Sequence, residues 1–261
     1  MKLHKHSWLS QIDGEYPQGF DEGTTSLLPK PGEFSSENQR PITCLNNLYK
    51  WFTSCVQEPM DAHLGEHELM ENGQRGAKEG NSGTTDNLLI DKTVTLDCDR
   101  NRRNLSMAWV DVKKAYASVD HKWLNEIVKV HRFPSWICRV IRNLSACWNT
   151  RITANTKQGR ETSGPIRFTK GLPQGDALCP RLFTLCLNPV ACLLSASQGY
   201  RLSKPLETKV THLLYVDDLK VFAASEAKLN TVLRATSSAM QDIGLQWNPK
   251  KCNILRHCQT L

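Results

Sequence analysis

Three aspartates stand where apolar runs break off: Asp111 in MAWVDV (107–112), and Asp217 with Asp218 between THLLYV (211–216) and LKVFA (219–223). Folding would hold their carboxylates against low-dielectric surroundings, which is costly unless they take up protons or face a cation. Hard oxygen donors of this kind suit Mg²⁺ or Mn²⁺. Three carboxylates at strand ends can hold two such ions, the arrangement that stabilises the attacking and the leaving oxygen in phosphoryl and nucleotidyl transfer. By itself an Asp-Asp pair between strands reads first as a solvated turn. Asp111, which runs straight into Lys113-Lys114-Ala115-Tyr116, moves the balance towards metal chemistry. No Ser-His-Asp order or nucleophile elbow competes with it. His63 and His67 (HLGEH) are spaced i, i+4 but lack the HExxH order, so they are not taken as metal ligands.

Charge points to a partner. The chain carries 33 Lys and Arg against 26 Asp and Glu, a net +7, but residues 1–106 hold 11 basic and 16 acidic side chains while residues 107–261 hold 22 and 10. Between 129 and 170, nine basic residues, Arg139, Arg142, Arg151, Lys157 and Arg160 among them, face Glu161 alone, with Phe133, Trp136, Trp148 and Phe168 interleaved. Cations mixed with flat rings suit phosphates and stacked bases; a plain solvated basic face is the competing reading.

At 261 residues the chain is long enough to bury about 70–75% of its unfolded surface without disulfide or metal staples. Its ten cysteines form no CxxC pair, so free buried thiols are expected and no zinc site. The apolar run LFTLCLNPVACLL (182–194) is short for a bilayer and holds Asn188 and Pro189, and the start MKLHKHSWLS lacks a secretory core. An intracellular protein of nucleus and cytoplasm, with no membrane partner, is expected.

The elements that must position the aspartates are readable in outline. Strands are predicted at 107–112, 211–216 and 219–223, the last two joined at an Asp217-Asp218 hairpin tip. Residues 10–40 read as an arm ending in the extended segment SLLPKPGEF. Helical spacing places Leu45, Leu48, Trp51, Phe52, Cys55 and Val56 on one face, interrupted by Pro59, and a second helix is predicted after a Thr84 or Thr85 cap. Further helices are expected around 123–128 and 137–144, at 176–195 with Asp176 as N-cap, and at 226–243 ending at Gly244.

These residues resemble a known family, the reverse transcriptases of non-LTR retrotransposons, and the site-specific elements most closely. VDVKKAYASVDHKWL (110–124), GLPQGDALCPRLFTLCLNP (171–189), LLYVDDLKVFA (213–223) and GLQWNPKKCNIL (244–255) are similar to its four palm motifs, in order. LLPKPG with RPITCLNNLYKWFTSC (40–55), and QRGAKEGNSGTTDNLLIDKTV (74–94), are similar to its finger motifs.

The resemblance implies an α+β right-hand polymerase with fingers at 27–105 and about 125–170, a palm at 106–124 and 171–261, an N-terminal arm at 1–26 and the thumb missing. It implies an RNA-directed DNA polymerase whose Asp111, Asp217 and Asp218 bind two Mg²⁺ ions, Mn²⁺ being a substitute, and whose partners are an RNA template, a DNA primer and deoxynucleoside triphosphates. Tyr116 would lie under the sugar, Gln174 and Gly175 against the nucleotide and template, and Arg75 and Lys78 at the triphosphate. Lys251, with Lys250 as a neighbouring alternative, would protonate pyrophosphate. Ala117 departs from the aspartate that many relatives carry there, and the chain stops at Leu261, as an excerpt of a larger protein would. An inactive nucleic-acid-binding remnant is the alternative; an RNA-dependent RNA polymerase is another, against which Tyr116 argues.

Overall fold

The computed structural model of the chain describes residues 16–32, 39–76, 82–156 and 159–257. The chain divides into two compact units, residues 1–67 with 119–182, and residues 68–118 with 183–261.

In the first unit, β1 (Glu22–Pro29) pairs antiparallel with β2 (Gln39–Leu45) and parallel with β4 (Asn149–Thr156), which in turn pairs with β5 (Gly159–Thr162) and β6 (Ile166–Arg167). The sequence showed little of this sheet, because its central strands carry threonine where apolar residues are usually read. Thr25 bonds through its hydroxyl to both Thr43 and Thr150 at 2.8 Å, a buried polar ladder across three strands. The expected arm is thus in part a central strand.

Helix α1 (Asn47–Glu66) runs straight through Pro59, contrary to the predicted break. Tyr49, Phe52, Val56, Met60 and Leu64 bury one continuous stripe, which offsets the hydrogen bond that proline cannot make. Leu48 and Trp51, expected on that face, are exposed, and Leu45 belongs to β2. Phe20, Tyr49 and Phe52 pack ring to ring, and Trp148 Nε1 donates to the Tyr49 hydroxyl at 2.6 Å. Two amphipathic helices, α4 (His121–Val130) and α5 (Ser135–Cys147), complete the unit.

In the second unit, β3 (Leu105–Val110), β9 (His212–Tyr215), β10 (Asp218–Ala223) and β11 (Asn253–His257) form an antiparallel sheet in the order β11-β3-β10-β9. A small ribbon of β7 (Tyr200–Arg201) and β8 (Lys209–Val210) lies outside it. Period-two alternation sends Met107, Leu213 and Phe222 to one face. There they form a core with Val94 and Cys98 of α2 (Thr84–Arg100), which is why residues 68–105 cluster with the strands and not with the rest of the segment expected to be fingers. The α2 N-cap is Gly83, without a side-chain cap, in place of the expected threonine.

On the sheet's other face packs α7 (Glu226–Asp242), capped by Ser225, with Leu229, Leu233, Thr236 and Met240 buried and Gly244 just beyond it at φ +81°. Helix α6 (Leu178–Ala196) is the segment in which the chain passes from the first unit to the second. Its 19 residues are long and apolar enough to cross a membrane, more than the run at 182–194 suggested, and 72% of that stretch is buried within the protein. Its apolar surface is therefore spent on the core.

Candidate active site

The site is built from the second unit's sheet. Strand β3 ends at Val110, so Asp111 is the first residue past it. Leu219 stands opposite Val110, and one step further the antiparallel register brings Asp218 across from Asp111 on one face. Asp218 pairs with Tyr215, so the two-residue hairpin turn is Val216-Asp217, one residue earlier than predicted. One carboxylate therefore follows the end of β3, a second begins the adjacent strand β10, and the third sits in the turn between β9 and β10. Asp111, Asp218 and Lys251 line one open cleft of about 540 Å³.

Asp111 is held by a residue that sequence reasoning passed over. Asn248 donates its backbone N–H to the Asp111 carbonyl at 2.8 Å and its side-chain amide to Asp111 Oδ2 at 3.0 Å. Asn248 lies inside the fourth motif-like stretch, and its polar side chain between Trp247 and Pro249 was the available signal.

Lys220 was missed as well. It is buried in β10 on the same face as Asp218 and opposite Trp109, with its ammonium 3.9 Å from the Trp109 ring centroid and 2.5 Å from Asp91 Oδ1. A lysine inside LKVFA carried the same signal as an aspartate inside MAWVDV, a charge where an apolar residue belongs.

The turn carries strain. Val216 has φ +57°, a left-handed conformation that costs a β-branched residue on the order of 1–3 kcal/mol unless its surroundings hold it.

The other expected residues distribute as follows. Tyr116 lies on α3 (Ala115–Ser118), its ring stacked on Phe183 at 5.0 Å and 17° between planes. Arg75 pairs with Asp86 at 3.6 Å and lines a second cleft with Glu71 and Gly73. Lys250 is exposed near Lys251. Lys78 and Lys157 lie outside the described residues.

In the first unit, the Gln174 carbonyl accepts the Thr43 N–H at 2.6 Å. Gly175, at φ +128°, would drive a Cβ to 2.3 Å from the Thr43 carbonyl oxygen, so no other residue fits there. The Asp176 side chain caps the start of α6 through the Leu178 N–H and accepts from Thr53 at 2.6 Å; burial raises its pKa. Arg139 and Arg142 of α5 line a groove with Lys122, Lys129 and Phe133, while Arg151 and Arg160 stand on β4 and β5. The basic stretch is thus one groove and one sheet surface.

Two other donor clusters do not look like metal centres. His63 Nε2 bonds to the His131 carbonyl and His67 Nδ1 to the His63 carbonyl, so each imidazole is engaged with backbone. Cys98, Asp99 and His257 come within ligating distance of one another, but burial raises the Cys98 thiol pKa and its proton is directed at the Arg103 carbonyl. A thiolate ligand is not prepared there.

Against known proteins, the family model described as "Reverse transcriptase (RNA-dependent DNA polymerase)" matches residues 28–261. The chain is 27% identical to the "Retrovirus-related Pol polyprotein from type-1 retrotransposable element R2" of Nasonia vitripennis, over 93% of this chain and 22% of that protein. With the like-named protein of Popillia japonica it is 26% identical, over 93% of this chain and 33% of that one. The chain thus spans a third or less of these curated relatives. Among solved structures it is similar in fold to apo telomerase from Candida tropicalis, at TM-score 0.64 and 16% identity, covering 92% of this chain and 46% of that one. The telomerase of the same organism in complex with a fragment of telomeric RNA is similar at TM-score 0.62 and 16% identity, over 92% and 42%.

Proposed function

The chain belongs to the reverse transcriptase family, and on that premise we propose that it joins deoxynucleotides to a DNA 3′-hydroxyl on an RNA template and releases pyrophosphate. The observation that carries this reading is the register that sets Asp218 across from Asp111, with Asp217 in the adjoining turn. Hard oxygen donors, Asp111 and Asp218 on an open cleft and Asp217 next to Asp218 in the chain, suit divalent cations, Mg²⁺ or Mn²⁺. Bound there, two such ions would neutralise the triphosphate and assist departure of pyrophosphate.

Asp111, Asp217 and Asp218 would hold those ions, and Asn248 keeps the Asp111 carboxylate aimed. Tyr116, backed by Phe183, offers a rigid ring for the sugar. Lys251, on the same cleft, would give a proton to pyrophosphate. Arg75 would meet the triphosphate and Gln174 and Gly175 the nucleotide and template, by their place in the motifs; the groove of Arg139 and Arg142 suits the phosphates of the template.

Primer extension on an RNA template, with Mg²⁺, tests the reading. Asp217→Asn should abolish extension while the protein stays folded. Unchanged extension by the folded variant would sink it.

A further inference from the structure

The backbone of Gly73–Gly76 runs beside the hairpin. Leu214 N–H donates to the Gly73 carbonyl at 3.1 Å, Arg75 N–H donates to the Leu214 carbonyl at 3.0 Å, and Gln74 and Leu214 form a parallel bridge. From this segment the Gln74 side chain, in a residue only 3% exposed, reaches the turn itself. Its Oε1 accepts the Val216 N–H at 2.9 Å and the Gly76 N–H at 2.9 Å, and its Nε2 donates to the Val216 carbonyl at 3.0 Å. Two backbone donors on one atom identify that atom as the oxygen. One amide thus satisfies both main-chain polar groups of the residue that bears the strain.

We propose that Gln74 is a positioning residue for the Asp217-Asp218 hairpin, its amide holding Val216 in the left-handed conformation and so setting where the two carboxylates stand. The purpose of that placement rests on the proposed function above; the clamp itself rests on geometry alone. Only a side chain with donor and acceptor on one rigid plane makes all three bonds, and asparagine is one methylene short. Gly76 is part of the device, because a Cβ there would lie 2.5 Å from the Val216 nitrogen.

The clamp is itself anchored. Glu71 takes hydrogen bonds from the Gly73 N–H at 2.5 Å and from Ser195 of α6, and lies 3.3 Å from His212 Nε2 of β9. Asn188 of α6 accepts the Glu71 N–H at 2.9 Å and donates to the Leu69 carbonyl at 2.8 Å. Residues 69–76 are therefore tied at both ends to elements of the same unit, so the amide of Gln74 acts from a fixed base.

The test compares Gln74→Met, which keeps the volume and removes the polar atoms, with Gln74→Asn as a milder change and Val56→Ala as a control that loosens the core of the first unit. Amide hydrogen exchange at Val216, Mn²⁺ binding by electron paramagnetic resonance and steady-state extension are measured on the full chain. Gln74→Met should speed Val216 exchange about tenfold or more, since the protecting acceptor is gone. It should also weaken Mn²⁺ binding and lower kcat more than it raises KM. Gln74→Asn should move in the same direction. Val56→Ala, at a comparable loss in Tm, should leave Val216 exchange and Mn²⁺ binding as in the wild type. Equal exchange at Val216 in wild type and both Gln74 variants, or equal change in Val56→Ala, would overturn the proposal. A wild type that binds no Mn²⁺ would overturn the reading of the aspartates, while the exchange comparison would still decide the clamp.

Discussion

Lys220 and Trp109 face each other directly across the β10–β3 ladder, the ammonium 3.9 Å from the ring centroid. Asp91 of α2 closes on the same ammonium at 2.5 Å. A cation is thereby buried beside the carboxylate cleft, held by one carboxylate and the rings of Trp109 and Phe222, and it makes the acidic end of the sheet less repulsive than three aspartates alone.

Removing that cation should cost stability. Lys220→Met leaves Asp91 partly buried without its partner; fully buried pairs broken from one side lose about 3–5 kcal/mol, and the partial exposure of Asp91 lowers the expectation to roughly 2–3 kcal/mol. Urea unfolding of the two proteins measures it, and a difference below about 0.5 kcal/mol would show that the pair contributes no more than an exposed one.

Acid should loosen the anchor of the hairpin clamp. Burial pushes the Glu71 pKa up, but hydrogen bonds from His212, Ser195 and Gly73 outweigh it and hold the group at about 2, below its ordinary value of 4.5. A depressed folded pKa means the stabilisation is fully present above pH 4.5 and is lost as pH falls from there towards 2. Tm measured from pH 6 to pH 3 should fall less steeply in Glu71→Gln than in the wild type, though from a lower plateau. Parallel curves would contradict the assignment.

Salt dependence should locate the nucleic acid. Each phosphate neutralised on a single strand contributes about −0.7 to the slope of log K against log salt. Changing Arg139 and Arg142 to Ala together, in the groove they share with Lys122 and Lys129, should flatten the slope by about one to two such contributions. An unaltered slope would put the strand elsewhere.

Sugar selectivity should depend on Tyr116. Its ring is braced by Phe183, so it yields little to a 2′-hydroxyl. Overpacking in a tight site costs about 1–3 kcal/mol, roughly one to two orders of magnitude in selectivity. Tyr116→Val should admit ribonucleotides by that factor in competitive incorporation assays. Matching ribo-to-deoxy ratios would leave Tyr116 a packing residue only.

The sequence by itself determined three of the four strands of the second unit's sheet and the placing of carboxylates at their ends, while the edge strand β11 was not legible in it. Apolar β-branched runs broken by carboxylates have few ways to fold, so the strands at β3, β9 and β10, the helix α7 with its Gly244 exit, and the aspartates at strand ends were legible locally. What tertiary structure alone decided falls into three kinds, each depending on partners distant in the chain. The first unit's sheet is held by Thr25, Thr43 and Thr150, whose hydroxyls mean nothing until three strands align. Pro59 sits mid-helix because the buried stripe of α1 outweighs a local breaker. The hairpin turn falls on Val216, a residue that intrinsic preference would keep out of that conformation, and Gln74, far upstream, supplies the hydrogen bonds that hold it there. Local pattern specifies which residues want burial or charge; only packing supplies the partners that let a residue defy its own preference.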